Sequence, residues 1–147
     1  MIELITTEKE LTQVIQPLNF NAELRKDPRL SKATKAAYKT DLTTFECWRG
    51  NQPIVKTMIE EYAGELLNQG RQPESVNRAL TAIRWWVRKN ADYIAEVPAD
   101  TIEEHLRRAD LIMQAQRIIS MDNLKTDPNK TAGRLVTYGE IEALFKA

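Results

Sequence analysis

The apolar residues of this chain recur at helical spacing along almost its whole length, and no run alternates in the way that a half-buried strand does. The clearest example is residues 74–90, ESVNRALTAIRWWVRKN, in which Val76, Leu80, Ile83 and Val87 fall on one side of a helical wheel. This periodicity predicts an all-α fold. A length of 147 residues fits one helical domain, or one domain and a fragment of a second.

Capping and turn residues divide the pattern into helices. Thr7 with Glu10 has the spacing of a capping box and predicts a short helix that Pro17 ends, after which residues 17–30 are expected to form a loop. Four longer helices follow. The first is expected to begin after Ser31 and to run to about Arg49, where Gly50 stops it, and the second to run from Pro53 to Gly70. The third begins at Pro73, and the fourth begins at a capping box of Asp100 and Glu103 and runs to about Ser120.

The last part of the chain has a different composition. Residues 121–136 are polar and interrupted by proline and glycine, as interdomain linkers often are. Thr137 and Glu140 then cap a helix that has too few apolar partners left in the sequence. We therefore expect an N-terminal extension at 1–30, a helical domain at 31–120, a linker at 121–136, and at 137–147 the start of a second domain that is cut off.

The charge is balanced overall but not locally. Twenty-one basic and 21 acidic side chains give a formal net charge of zero, so the total indicates no particular partner. Residues 25–49, however, carry seven basic and three acidic residues, and residues 71–89 carry five basic residues and one acid. The compensating acids cluster at 60–65 and 92–104. We therefore expect one side of the molecule to be strongly positive.

Three lysines are unusual because of where they lie. Lys32, Lys35 and Lys39 share one flank near the start of a predicted helix, where the helix macrodipole disfavours cations by up to ~1 kcal/mol each. Phosphates docked beside that end would offset the cost. Arg78 can instead pair with Glu74, and the cations at the end of residues 74–90 can complement a helix C-terminus. Contact with duplex DNA and an ordinary solvated basic face therefore both remain open.

Several functions have no support in the residues. Cys47 is the only cysteine and His105 the only histidine, which excludes a disulfide within the chain and a cysteine-rich zinc site. We expect no metal, no cofactor and no independent catalytic site. No stretch approaches the roughly 18 apolar residues of a membrane span, and the start does not resemble a signal peptide. The expected location is therefore the cytoplasm, without membrane contact.

Two segments resemble the N-terminal core-binding, SAM-like domain of the tyrosine recombinases, the phage integrase family. TKAAYKTDLTTF at 34–45 is similar to the family pattern T-x3-Y-x2-D-L-x2-F, and SVNRALTAIR at 75–84 is similar to T-[IV]-x-R-x-L-[ST]-A-[IL]-R. LVTYGEIEALFKA at the end resembles the family's first catalytic-domain helix. The likeness covers residues 31–147.

This resemblance implies a SAM-like orthogonal bundle of four to five helices that clamps one side of a recombination site. The catalytic domain of the same protein would hold the other side, and a recombinase oligomer would assemble on double-stranded DNA. In the family, the positions of Thr34, Lys35, Ser75 and Arg78 lie at the DNA. The family's catalytic residues would follow the end of this sequence, and Tyr138 is too early to be the nucleophile, so the chain as given is expected to be inert.

Charge and resemblance together predict a set of DNA-contact residues. They are Lys32, Thr34, Lys35, Lys39, Arg71, Ser75, Arg78 and Arg84. Trp85 lies opposite the core face of its helix, and we expect it to pack on the helix after Asp100 or on the second domain. The alternative hypothesis is a helical protein–protein interaction module without DNA affinity, which would use Trp85 and the acidic side.

Overall fold

The computed structural model describes residues 18–126, and within this range the chain is helical without strands. The prediction of an all-α fold is therefore confirmed for this part of the chain. The predicted helices that begin near Thr7 and Thr137 lie outside the described residues. The helices are α1 Phe20–Lys26, α2 Lys32–Arg49, α3 Lys56–Asn68, α4 Pro73–Glu96 and α5 Ile102–Ile119.

Three ends of the helices α2 and α3 follow the sequence signals. Ser31 caps α2 by accepting a hydrogen bond from the Thr34 amide at 3.1 Å. Gly50 and Gly70 both have a positive φ, of 62° and 90°, and follow the ends of α2 and α3. After α3, the amide of Arg71 donates to the carbonyl of Leu66 at 3.1 Å, which closes a tight turn into α4. The predicted stops at both glycines are confirmed.

Three predicted boundaries are wrong. The expected loop at 17–30 contains α1, whose N-cap Asn19 accepts a hydrogen bond from Ala22. The helix expected from Pro53 begins only at Lys56, because the chain before it is extended and places Ile54 in the core. The N-cap of α5 is Thr101 and not Asp100. The Thr101 hydroxyl accepts a hydrogen bond from the Glu104 amide, and the Glu104 carboxylate accepts one from the Asp100 amide.

The core lies around α4, the longest helix, which buries side chains along most of its length. An aromatic cluster joins α4 to its neighbours. The Phe45 ring lies edge-on to Tyr62 at 5.0 Å and to Trp86 at 6.5 Å, and it stacks with Trp48 at 6.4 Å. Such ring pairs contribute about 1 kcal/mol each beyond the area that they bury. Trp86 is only 2% exposed and belongs to the core.

Contacts between α2 and α4 fix how these two helices lie together. Asp41 in the middle of α2 contacts Arg78 near the start of α4, whereas Tyr38, one turn earlier in α2, contacts Trp85, two turns later in α4. Asp27, just before α2, contacts Lys89. The two helices therefore run in opposite directions, and the start of α2 lies beside the later half of α4.

Candidate nucleic-acid interface

A shallow depression between α1 and α2 brings three basic side chains together. Its lining includes Arg25 from α1 and both Lys35 and Lys39 from α2, together with Asn21, Leu24 and Ala36. The depression has a volume of about 370 Å³ and is open to solvent. Arg25 thus faces the two lysines across the depression.

Lys32 extends this group toward the start of α2. It lies on the same flank as Lys35 and Lys39, within roughly 60° on the helix. No acid lies in the first turn of α2. Within residues 18–126, no ion pair joins Arg25, Lys32, Lys35 or Lys39 to a carboxylate. We call these four residues the α1–α2 basic cluster.

The helical wheel predicts three members of the cluster, whereas Arg25 is not among the predicted contact residues. Residues 17–30 were expected to form a loop, so that no side could be assigned to Arg25. A signal for α1 does exist: Asn19 is a good N-cap, Glu23 lies in the first turn, and Arg25 and Lys26 lie in the last. That pattern is short, which is why hydrophobic periodicity did not reveal it.

Arg78 is engaged in an ion pair with Asp41. Its Nε and Nη2 donate to the two carboxylate oxygens at 2.9 and 3.0 Å. The Asp41 side chain is only 2% exposed, while that of Arg78 is 51% exposed. The hydrogen bond to Asp41 raises the pKa of Arg78. The sequence suggested Glu74 as a partner, whereas the structure pairs Arg78 with an acid on α2, so much of its charge is balanced.

The structure does not bring Lys35 and Arg78 into one patch. Asp41, which Arg78 contacts, follows Lys35 by six residues, so the two positions on α2 differ by roughly 120° around the helix and about 9 Å along it. Lys35 faces α1, and Arg78 reaches the other flank of α2 from α4. Arg71 and Ser75 precede Arg78, at the end of α4 that is farther from the start of α2, and both are half-buried.

Thr34 and Arg84 have partners within the chain. The Thr34 hydroxyl accepts a hydrogen bond from the Ser31 hydroxyl at 2.9 Å, as part of the α2 cap. Arg84 is half-buried, and burial lowers its pKa. Its guanidinium donates to the carbonyl of Met121 at 3.1 Å and to the side chain of Asn123. Arg84 therefore holds the segment that follows α5.

Asn77 binds the same segment after α5 at Leu124, three residues beyond Met121. Its side-chain amide donates to the carbonyl of Leu124 at 3.0 Å, and its side-chain oxygen accepts from the Leu124 amide at 2.7 Å. Residues 121–124, the first part of the predicted linker, thus lie along α4. Asn77 and Arg84 are two turns apart on one side of α4, so they form a pair of supports for an otherwise irregular segment.

Trp85 packs on α2, a contact that the sequence did not predict. Its ring lies over Tyr38, with ring centroids 5.9 Å apart, and its indole Nε1 donates to Asp27 at 2.9 Å. The alternative contact with a second domain lies outside the described residues. Lys89 lies 5.9 Å from the centre of the Trp85 ring and also pairs with Asp27, at 3.1 Å. No local pattern reveals this contact, because Asp27 and Trp85 are 58 positions apart in sequence.

Asp27 is the polar centre that ties the start of α2 to α4. Its carboxylate is almost inaccessible to solvent, and it also accepts from the Arg29 amide at 2.9 Å. The hydrogen bond from Trp85 lowers the pKa of Asp27 well below its usual value, and the Arg29 amide and Lys89 act in the same direction against the effect of burial.

Other sites are not evident in the described part of the chain. No cluster of histidine, cysteine, aspartate and glutamate suited to a metal occurs there, and Cys47 is an exposed thiol. Between residues 18 and 126, no helix has both the length and the apolar character to cross a membrane. Comparisons of the chain with protein-family models, curated proteins and solved structures found no match.

Proposed function

We propose that this protein binds the phosphate backbone of double-stranded DNA through the α1–α2 basic cluster. The observation that carries the proposal is the depression lined by Arg25, Lys35 and Lys39, three cations without an acidic partner in the described residues. Leaving such charges close together is unfavourable in the free protein, and phosphates entering the depression relieve their repulsion.

In this proposal Arg71, Ser75 and Arg78, at the start of α4, make a second and separate set of contacts with DNA. Arg78 contributes less than a free arginine would, because Asp41 already balances its charge. Arg84 does not contact a phosphate in this proposal. It supports the domain by holding the segment after α5, through its hydrogen bond to Met121. In this proposal most of the electrostatic attraction for DNA comes from the side of α2 that faces α1.

The finer assignment follows the sequence resemblance. We propose that the helical bundle is a SAM-like core-binding domain of a tyrosine recombinase, which acts on DNA with a catalytic domain of the same protein and in a recombinase oligomer. The order α2, apolar α3, glycine turn and α4 agrees with the order of motifs in that resemblance. The domain itself carries no catalytic group in this proposal and works as a clamp.

Titration of a labelled duplex at 50 and 200 mM salt tests the proposal. Each phosphate contact adds about 0.9 to the slope of log affinity against log salt, so four contacts give a slope of about 3.6 and a loss of roughly 100-fold over this range. Replacing two contacts, in the double variant Lys35→Ala/Lys39→Ala, should lower the slope by about 2. The matched control is Lys56→Ala/Arg117→Ala, which removes two exposed cations elsewhere.

Two outcomes would count against DNA binding. One is the absence of binding at 50 mM salt. The other is a Lys35→Ala/Lys39→Ala variant whose affinity and salt slope equal those of the control. Retention of binding by Arg84→Ala at low salt is expected, because the Arg84 guanidinium contacts the chain itself.

One observation favours the second candidate, a helical protein-interaction module. Ile102, Leu106 and Met113 lie on the outward face of α5, and each is well over half exposed. Trp85, which packs on Tyr38, is only partly exposed and offers less surface than these three residues. Sedimentation velocity over a range of protein concentrations tests this candidate. Association that Leu106→Glu abolishes, together with no affinity for DNA, would favour it over the first.

A further inference from the structure

The guanidinium of Arg78 is held along one edge and open at its end. Its Nε and Nη2 atoms donate to the two oxygens of Asp41 at 2.9 and 3.0 Å, which occupies the side edge of the planar group. Within residues 18–126, the third nitrogen, Nη1, has no hydrogen-bond partner. The end of the guanidinium, formed by Nη1 and by the second N–H of Nη2, can therefore still donate two parallel hydrogen bonds.

Asp41 is a fixed support for this group. Its side chain is buried inside the bundle, whereas about half of the Arg78 side chain is exposed, so the guanidinium reaches solvent from an anchored base. Among residues 73–80, the first two turns of α4, only Glu74 and Arg78 are exposed. An arginine normally loses side-chain freedom when it binds a partner, and the pair with Asp41 has already removed much of that freedom.

The charge around Arg78 does not favour a phosphate. Asp41 already balances the guanidinium, and Glu74 lies one helical turn before Arg78 on the exposed surface. These three side chains are one cation and two acids, whereas the α1–α2 basic cluster consists of cations for which the described residues provide no ion pair. A phosphate is therefore drawn to the cluster, and the open end of Arg78 suits an acceptor without a net charge.

Guanine is the base whose edge accepts two parallel hydrogen bonds. Its O6 and N7 atoms are neighbouring acceptors in the major groove of DNA, and a bidentate arginine is the commonest specific contact made to them. Adenine presents a donor beside its N7, cytosine presents a donor, and thymine presents one acceptor beside a methyl group. The two N–H groups at the end of Arg78 therefore find both of their acceptors on guanine alone.

We infer that Arg78 reads a guanine in the major groove and that Asp41 is its positioning residue. The inference rests on the proposed DNA binding and adds base specificity to it. The α1–α2 basic cluster holds the backbone, and Arg78 selects the sequence. A bidentate contact discriminates against the other bases by roughly 5- to 150-fold. We expect about tenfold, near the lower end, because water reaches the half-exposed Arg78 side chain.

Selection of duplexes with a randomised segment by the full chain at 50 mM salt, followed by sequencing, tests the inference. The wild type should enrich guanine about tenfold at one position. Arg78→Lys keeps the charge but replaces the planar fork by a single ammonium group, so it should lose this enrichment without a change in the salt slope. The matched control is Arg88→Lys, the same replacement at an exposed position in the later half of α4, which should retain the enrichment.

A single atom of the base provides a second measure. Replacing the selected guanine by 7-deazaguanine, which lacks the N7 acceptor, should lower the affinity of the wild type several-fold. The affinity of Arg78→Lys should not change, because only the bidentate contact uses N7. Circular dichroism at the binding temperature checks that each variant is folded.

Asp41→Asn tests the positioning role. It should weaken the guanine preference at least threefold, while the affinity for a duplex without the selected guanine stays equal or rises, because the released guanidinium attracts phosphates. An equal fall in affinity for both duplexes, or a fully retained preference, would deny Asp41 this role.

Three outcomes would overturn the reading of guanine and leave the proposed DNA binding intact. They are binding without an enriched guanine, an enrichment that Arg78→Lys retains, and equal affinity of the wild type for guanine and 7-deazaguanine. Each would show that Arg78 does not make the bidentate contact with a base. Absence of binding to every duplex at 50 mM salt would overturn the proposed function together with the inference.

Discussion

Replacing Asp27 by asparagine changes the charge at the polar centre between α1, α2 and α4 while keeping the shape of the side chain. One carboxylate oxygen accepts from the Arg29 amide, and the other accepts from Trp85 Nε1 and pairs with Lys89. Asparagine can keep the first contact with its oxygen. Its amide group then faces two donors where the second oxygen had been.

The loss can be worked out from these contacts. A hydrogen bond to a charged group contributes about 1.5–3 kcal/mol, and the Trp85 donor, left without a partner, costs about 1–3 kcal/mol. The Lys89 side chain is 21% exposed, so we take the lower part of both ranges. The expected loss is about 3 kcal/mol of unfolding free energy. In a domain of this size it lowers the melting temperature by roughly 10 °C or more.

The pH dependence follows from the lowered pKa of Asp27. A carboxylate whose folded-state pKa is depressed stabilises the fold fully above its unfolded pKa, and loses that contribution as the pH falls toward the folded value. The unfolded value is about 3.8. At pH 3 the wild type should therefore have lost about 1 kcal/mol through this group alone. The difference between wild type and Asp27→Asn should shrink by about that amount between pH 5 and 3.

Urea unfolding followed by circular dichroism at pH 7, 5 and 3 measures both effects. Glu23→Gln is the matched control, since Glu23 lies on α1 and pairs with Lys26, which is 70% exposed. Loss of that surface pair should change stability by less than about 0.5 kcal/mol. An Asp27→Asn variant within 1 kcal/mol of wild type at pH 7, or a difference that does not shrink toward pH 3, would refute the role given to Asp27.

Three further predictions concern stability. Arg78→Ala should lower the unfolding free energy by about 2 kcal/mol, because it leaves the buried carboxylate of Asp41 without its partner; urea unfolding at pH 7 measures it. Asn77→Ala should speed proteolytic cleavage at 121–126 at least several-fold, because both hydrogen bonds to Leu124 are lost. Gly70→Ala should destabilise the protein by about 1 kcal/mol, because Gly70 has a positive φ. Gly64→Ala within α3 should instead stabilise it by up to about 1 kcal/mol, because an added Cβ there meets no atom within 4 Å. Thermal unfolding compares the two variants.

The long helices could be predicted because their signals are local. Ser31 and the two positive-φ glycines act within a few residues of the boundaries that they set. The short helix α1 could not be predicted from periodicity, since only Leu24 among its seven residues is buried. Its stability depends on the Phe20 ring packing edge-on against Trp86 at 5.4 Å, a contact between residues 66 positions apart.

The candidate site divides in the same way. The shared flank of Lys32, Lys35 and Lys39 follows from helix geometry and was predicted from the wheel. The partners of Arg78 and Arg84 lie 37 positions away, so only the packing of α2 and of the segment after α5 against α4 reveals them. Sequence charge counts treat all cations as equal. The fold decides which of them keep their charge available.

Two buried acids determine which cations are paired within the protein. Asp41 engages Arg78, and Asp27 engages both Lys89 and Arg29, so these acids balance charge on α4 and on the connection before α2. Arg25, Lys35 and Lys39, which have no described ion pair, lie together between α1 and α2. Asp27 also anchors the end of α1, two residues after Arg25, and so holds Arg25 opposite the lysines. The group that stabilises the bundle is therefore the one that shapes its basic cluster, and loosening it should disperse the cluster without removing any of its charges.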